Sequence, residues 1–144
     1  MTKTEDRKKY AAGHYYLVPN AVFVLGLSPG ELAVYNYLLF KEDRQTYECI
    51  ASYREIGKAI HAAKNSVAKY VRGLEDKELI STEHTTIRRR SDGAPRNGCL
   101  RYRLHHIDHA VQAYYQRQLI AADNAAALER LRQRREEPGE NAEN

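Results

Sequence analysis

Residues 52–80 read SYREIGKAIHAAKNSVAKYVRGLEDKELI. Ser52 followed three positions later by Glu55 is a capping box. The hydroxyl takes a free backbone N–H and the carboxylate reaches back, so a helix opens here. Ile56, Ala59 and Ile60 then recur at helical spacing and form one apolar face. Gly57 lowers helix propensity, but it lets a following helix pack close. This first helix is expected to stop near His61–Ala62. Lys64, Asn65 and Ser66 begin a second, with Val67, Tyr70, Val71 and Leu74 on its buried side. Leu79–Ile80 close the core and lead into a strand.

Two short amphipathic helices joined by a tight turn predict a helix-turn-helix. Such modules lay the second helix in the major groove of duplex DNA, with its N-terminal residues nearest the base edges. The exposed side of that helix carries Lys64, Asn65, Ala68, Lys69 and Arg72. Asparagine pairs with adenine through two hydrogen bonds, and lysine donates to guanine O6 or N7. Ser66 and Lys69 are better placed for phosphate oxygens. Ser52 and Tyr53 stand where the free N–H groups and dipole of the first helix would hold another phosphate. The competing reading is a surface helix whose cations merely keep it hydrated.

The next segment favours the first reading. Residues 82–107 predict a β-hairpin. Thr82, Thr85, Thr86 and Ile87 are strand formers, and Asp92-Gly93, Pro95 and Asn97-Gly98 are turn chemistry. The return strand alternates Leu100, Tyr102 and Leu104 with Arg101, Arg103 and His105. Between 88 and 103 lie Arg88, Arg89, Arg90, Arg96, Arg101 and Arg103 against a single acid, Asp92. A helix-turn-helix followed by an arginine-tipped hairpin is a winged helix. The expected wing, at Arg88, Arg89, Arg90 and Arg96, would run along the phosphate backbone or dip into a narrow minor groove. A charged hairpin tip also blunts an exposed sheet edge, and any one arginine could serve that end.

Charge is distributed accordingly. Residues 1–51 hold six basic and six acidic groups; residues 52–107 hold twelve and six; residues 108–144 hold five and seven. The positive field therefore belongs to the expected reading surface, as a nucleic-acid binder requires.

A chain of 144 residues is one domain with tails. Its eleven tyrosines, with no tryptophan, suit half-buried positions where the ring packs and the hydroxyl stays wet. No apolar run approaches the roughly 20 residues of a membrane span, and no secretory signal is visible at MTKTEDRKKY. Cytoplasmic location is the default expectation. Cys49 and Cys99 are expected as free thiols on neighbouring strands. His105, His106 and His109 fit no zinc spacing, so no metal and no cofactor is expected. No nucleophile elbow, phosphate loop or H-E-x-x-H motif is present, and the chain reads as non-enzymatic.

The fold class expected is mainly α with a small β-hairpin: a winged helix-turn-helix at 15–107 plus a long C-terminal helix at 108–135. Residues 1–14 read as a disordered arm and 136–144 as an acidic disordered tail. Ser28-Pro29-Gly30-Glu31 is a second capping box, with proline at the first helical position. The helix it opens buries Leu32, Val34, Tyr35, Leu38 and Leu39 across the back of the module. Thr46–Ile50 is expected as a short strand. Tyr15–Phe23, apolar apart from Pro19-Asn20, is expected to lie extended across the core, with a partner-docking arm as the alternative. Asp108 is the expected cap of the last helix, which at 1.5 Å per residue is roughly 40 Å long. Its apolar side is broad and alanine-rich without a clean heptad, so it either folds back or pairs with a second chain. Pairing into a homodimer is the favoured expectation, because two-fold symmetry suits two half-sites.

The run from Tyr16 to Ile107 resembles the winged-helix proteins of bacterial mobile elements: Gram-positive plasmids, integrative elements and phages. The matching pieces are VPNAVFVLGLSPGELAVYNYLL (18–39), SYREIGKAI (52–60), KNSVAKYVRGLEDKELISTEHT (64–85) and NGCLRYRL (97–104). The helix-turn-helix is also similar to those of GntR-type regulators and of plasmid replication initiators. The resemblance implies DNA contacts at Lys64, Asn65, Ser66 and Lys69 and a wing at Arg88–Arg90 and Arg96. It departs at His61-Ala62-Ala63, where a glycine and a serine are usual. With no capping side chain at Ala63, the second helix is expected to start near Asn65. The effector domain of GntR-type regulators has no counterpart, so no small-molecule effector is implied.

Three functions follow. The first is a sequence-specific double-stranded DNA-binding protein, a transcriptional regulator carried by a mobile element. The second is a replication or DNA-transfer accessory protein. The third is a protein-interaction adaptor that uses a winged helix without reading DNA.

Overall fold

A computed structural model describes Tyr10 and residues 12–88 and 95–137; for 86–88 and 95–98 it describes the backbone alone. A 3-10 turn at Asn20–Phe23 is followed by α1 (Pro29–Lys41), β1 (Glu48–Ala51), α2 (Tyr53–Ile60) and α3 (Lys64–Asp76). Then come β2 (Ile80–Arg88), β3 (Pro95–Leu104) and α4 (Ile107–Glu136). The strands make one antiparallel sheet in the order β1-β3-β2. This is a winged helix-turn-helix with a long C-terminal helix.

The helices begin where their caps dictate. Ser28 Oγ accepts the Glu31 N–H at 3.2 Å, and the Glu31 carboxylate accepts the Ser28 N–H at 3.1 Å, completing the box expected there. At α2 only half of the expected box forms. Ser52 Oγ accepts the Glu55 N–H at 3.0 Å, but the Glu55 carboxylate turns to α1, where Tyr37 Oη and Lys41 Nζ donate to it. The last helix is capped by His106, whose Nδ1 accepts the Asp108 N–H at 3.3 Å; Asp108, expected as the cap, sits in the first turn instead.

The core lies between α1, α2, α3 and the inner face of the sheet. Val34, Tyr35 and Leu38 of α1 meet Ile56 of α2 and Val67, Val71 and Leu74 of α3. Leu100, Tyr102 and Leu104 close it from β3, alternating with Arg101 and Arg103 as the sequence pattern requires. Ile60 is half-buried, while Ala59, placed on the same apolar face by its spacing, is exposed. Gly57 has a definite role: a Cβ there would stand 2.5 Å from the Ala62 carbonyl oxygen, so only glycine lets the turn fold back onto α2.

Several expectations are corrected. The first strand is Glu48–Ala51, later than Thr46–Ile50, because Tyr47 takes a left-handed conformation (φ 58°) in the turn before it. The Tyr15–Phe23 stretch does not lie across the core. Pro19 starts the 3-10 turn, which buries Val22, and Leu25 is buried just beyond it; Tyr15, Leu17 and Phe23 are exposed. Asn97-Gly98 is not a turn, since both residues lie in β3. The register moves between His84↔Leu100 and Thr86↔Asn97, so Gly98 and Cys99 together oppose Thr85. Glycine here serves a β-bulge. Cys49 pairs with Tyr102 across the sheet rather than with Cys99, and both thiols are free. The last helix does not fold back: every residue from Tyr115 to Glu137 is exposed. Among the described residues, no helix is long and apolar enough to cross a membrane.

Candidate nucleic-acid interface

The interface candidate is built on α2, the turn after it, and α3. The turn runs through His61, which takes the left-handed conformation (φ 57°) that glycine usually supplies, and its N–H bonds back to the Gly57 carbonyl. Helix α3 then begins at Lys64 rather than at Asn65. Ala63 is its N-cap in geometry and offers no side-chain hydrogen bond, so the first N–H groups of α3 stay available.

Helical spacing splits α3 cleanly. Val67, Val71 and Leu74 are buried, and Tyr70 is half-buried. Asn65, Lys69 and Arg72, at i, i+4 and i+7, form an exposed ridge, with half-buried Ala68 beside it. Lys64 is exposed at the N-terminal end. Ser66 is half-buried on the flank and so stands off the ridge. Asp76 continues the ridge at its far end as an exposed acid, which marks the limit of the basic strip.

At the start of α2, the two residues expected to hold a phosphate are half-buried. Ser52 spends an oxygen lone pair on its own helix and keeps its O–H proton free. The Tyr53 ring packs on the core. Burial pushes its hydroxyl pKa up, as does Glu75, while Arg72 acts in the opposite sense. The Tyr53 hydroxyl thus lies within the fields of two α3 side chains. Glu75 also accepts a hydrogen bond from Thr82 Oγ1 at 2.7 Å, tying the end of α3 to the root of the hairpin.

Three further residues belong to this surface and were not singled out from the sequence: Arg54, Lys58 and His61. Arg54 and Lys58 are an exposed i, i+4 pair on α2. Together with Gly57, His61, Ala62 and Lys64 they line an open depression of about 390 Å³ beside the N-terminus of α3. The signal was present in the spacing, because α2 has only one face left once Ile56 and Gly57 are buried.

The cations of the domain sort by partner. Lys41 is paired with Glu55, and Lys77 with Glu31. Arg103 lies 3.4 Å from Glu48, and Arg101 lies 3.8 Å from Glu83, both on the outer face of the sheet. Among the described residues of the domain, Arg54, Lys58, Lys64, Lys69 and Arg72 have no ion-pair partner, and neither has Arg44 in the turn before β1. Arg101 and Arg103, counted with the wing on sequence, are therefore engaged by the sheet's own carboxylates. Of the expected wing residues, Arg88 pairs with Pro95 in register, and Arg96 with Ile87. Arg89 and Arg90 lie outside the described residues.

The histidines at the root of α4 form a small cluster. The His105 and His109 rings meet edge to face at 5.1 Å, and His105 Nδ1 is 2.9 Å from the Glu78 carbonyl oxygen. Among the described residues, no group of three or more His, Cys, Asp or Glu side chains is placed to hold a metal ion.

No family model and no curated protein sequence matches this chain. Among solved structures, it is similar to a protein of Methanosarcina mazei Go1 described as a possible transcriptional regulator. The match has a TM-score of 0.51 and 16% sequence identity, and it covers 90% of this chain and 88% of that one. At that identity the likeness speaks for the fold.

Proposed function

We propose that this chain is a sequence-specific double-stranded DNA-binding protein acting as a transcriptional regulator. One observation carries the reading. Five cations stand unpaired on the exposed faces of α2 and α3, around a helix N-terminus with no side-chain cap, while Lys41, Lys77, Arg101 and Arg103 each have a carboxylate partner. Unpaired cations on a convex ridge suit a polyanion that enters from solvent. In this reading α3 enters the major groove. Asn65 and Lys64 meet base edges, and Lys69, Arg72 and Ser66 meet phosphates, as do Ser52, Tyr53, Arg54 and Lys58 from α2. The wing arginines Arg88, Arg89, Arg90 and Arg96 reach the flanking backbone or minor groove. The name borne by the Methanosarcina structure agrees with a regulatory role. The resemblance to mobile-element winged helices gives the proposed context, a plasmid, integrative element or phage.

Binding of the full chain to mixed-sequence duplex, and to genomic fragments selected by the protein and then sequenced, tests this. We expect log affinity to fall with log salt by about 0.9 per phosphate neutralised, and the selected fragments to share one motif near promoters. No binding at low salt would overturn the reading in favour of an adaptor. A motif repeated beside a replication or transfer origin would move the role to replication or transfer.

A further inference from the structure

Helix α1 ends on a carboxylate that the fold leaves without a counter-ion. Glu42 is the C-cap of α1 and is half-buried. Its backbone N–H donates to the Leu38 carbonyl oxygen, but its carboxylate has no hydrogen-bond or ion-pair partner among the described residues. Lys41 is spent on Glu55, and His106 stands by Asp108. Arg44 is exposed and acts on Glu42 through its field alone. A carboxylate at a helix C-terminus also faces the negative end of the helix dipole. Burial pushes the Glu42 pKa up, against the pull of Arg44. A cation seated there would answer both the carboxylate and the dipole.

Glu42 lines two open cavities at once, of about 730 and 790 Å³. The first lies between Tyr10, Tyr15 and Tyr16, helix α1 and the end of α2. Its wall is aromatic. Around Phe40 stand Tyr10 at 5.5 Å, Tyr16 at 6.1 Å and Tyr37 at 6.1 Å, ring centre to ring centre. The Tyr37 ring is held in place by its hydroxyl, which donates to Glu55 at 3.2 Å. Asn36 lines the same cavity, and its Oδ1 is buried with no hydrogen-bond partner among the described residues. Ring faces carry negative potential and attract organic cations, and a lone carbonyl dipole acts in the same sense. The second cavity is walled mainly by aliphatic side chains, with Tyr35 and Tyr47 among them. The ring cluster belongs to the first.

We propose that the first cavity binds a small aromatic organic cation, with its charge beside the Glu42 carboxylate and its ring among Tyr10, Tyr16, Tyr37 and Phe40. The size agrees, since small-molecule sites run to roughly 300–1,000 Å³ and combine apolar walls with a few placed polar groups. A neutral ring would fill the same space and leave Glu42 without a counter-ion. An anion would be set against that carboxylate and against the ring faces. Ala59 and Ile60 also line the cavity, so an occupant rests against the end of α2, just before the turn at His61. The site does not rest on the DNA-binding reading, because none of the residues assigned to DNA takes part in it.

Calorimetric titration of the full chain at neutral pH, without DNA, tests this with three probes of one bicyclic shape. N-methylquinolinium carries a fixed positive charge, quinoline is neutral at that pH, and naphthalene-1-sulfonate is an anion. N-methylquinolinium should bind most tightly of the three. Glu42→Gln keeps the shape of the side chain and should weaken that binding by roughly tenfold or more, toward the level of quinoline. Tyr16→Ala should weaken N-methylquinolinium and quinoline alike, while Tyr47→Ala, on the second cavity, should change neither. The thermal transition of each variant shows that the domain is still folded. No binding of N-methylquinolinium at millimolar concentration overturns the proposal, as does equal binding of quinoline. Preference for the sulfonate would hand the cavity to Arg44 and overturn it too. So would an unchanged affinity in Glu42→Gln, or a loss in Tyr47→Ala that Tyr16→Ala does not share. Failure of the chain to bind DNA would leave these titrations unchanged, so the two readings fail separately.

Discussion

The ring of Tyr70 lies directly over the backbone of Gly30. A Cβ built on Gly30 would stand 2.1 Å from the ring's Cζ and 2.3 Å from Cε1. No side chain fits between them, so glycine is what lets the start of α1 close on the middle of α3. Gly73 of α3 meets α1 in the same way, since a Cβ there would stand 2.5 Å from the Glu31 carboxylate. Two glycines, one on each helix, thus fix how α3 sits on α1.

Gly30→Ala should therefore destabilise the domain even though alanine is the better helix former. Overpacking costs about 1–3 kcal/mol, against less than ~1 kcal/mol gained in helix propensity. Urea unfolding of Gly30→Ala, Tyr70→Ala and the double variant checks this. The double variant should lose less than the two single losses combined, because removing the ring makes room for the methyl. Additive losses would mean that Tyr70 is not what Gly30 accommodates.

The carboxylate of Glu31 joins that junction electrostatically. Lys77 Nζ lies 2.7 Å from Oε2 and 2.9 Å from Oε1, and Glu31 is buried. Burial alone raises the Glu31 pKa, but hydrogen bonds from Lys77 and Ser28 with the Lys77 charge outweigh it, and the net shift is downward. A depressed carboxyl contributes stability that is fully present above the unfolded carboxylate range and is lost as pH falls through the folded value. Stability should thus decline on acidification through and below the ordinary carboxylate range. Lys77→Met should lower stability at neutral pH and flatten that decline. The loss should be smaller than the roughly 3–5 kcal/mol of a fully buried pair, since the Lys77 side chain keeps 27% exposure. Glu42, whose pKa is raised by burial, acts in the opposite sense and is common to both proteins. Equal pH slopes for wild type and Lys77→Met would disprove the coupling.

Much of this architecture was legible in the chain, for a physical reason. Caps and apolar spacing are local, so Ser28, Ser52 and the Val67–Val71–Leu74 stripe announced their helices. What escaped depended on contacts distant in sequence. The spacing of Ser52 and Glu55 predicts a carboxylate bonded to its own helix start, and only the fold brings Lys41 within reach of it. Arg101 and Arg103 counted as free positive charge until β1 and β2 supplied Glu48 and Glu83. Asn97-Gly98 carries the same chemistry in a turn and in a bulge, and pairing with Thr85 decides between them. The exposed ridge Asn65–Lys69–Arg72 is readable from period alone, and so is the basic pair Arg54 and Lys58 at i, i+4 on α2.

Tyr102 sits at the centre of the core with no accessible surface, and its hydroxyl has no hydrogen-bond partner among the described residues. Burial pushes its pKa well above the usual phenolic range, with Tyr53 adding to the effect. A buried donor left unsatisfied costs about 1–3 kcal/mol, and removing the oxygen while keeping the ring relieves that cost. Tyr102→Phe should raise the urea midpoint, corresponding to a gain of ~1 kcal/mol. A loss of that size instead would show that the hydroxyl makes a stabilising contact in solution, such as an ordered water.

The proposed DNA-binding surface is tested by two classes of substitution that differ in what they remove. Asn65 is exposed on the α3 ridge and is the residue there suited to pair with adenine through two hydrogen bonds. Asn65→Ala should weaken the selected site by roughly 1–3 kcal/mol, relax preference at one base position, and leave the salt dependence unchanged. Arg54 and Lys58 line the basic depression and offer only charge. Arg54→Ala and Lys58→Ala should weaken selected and random duplex alike, and each should reduce the salt slope by about one unit. Competition binding at several salt concentrations separates the classes, because sequence preference and slope are read from the same titrations. If Asn65→Ala flattened the slope while Lys58→Ala changed base preference, α3 would be lying along the backbone and α2 would be in the groove. The proposed docking would then be inverted.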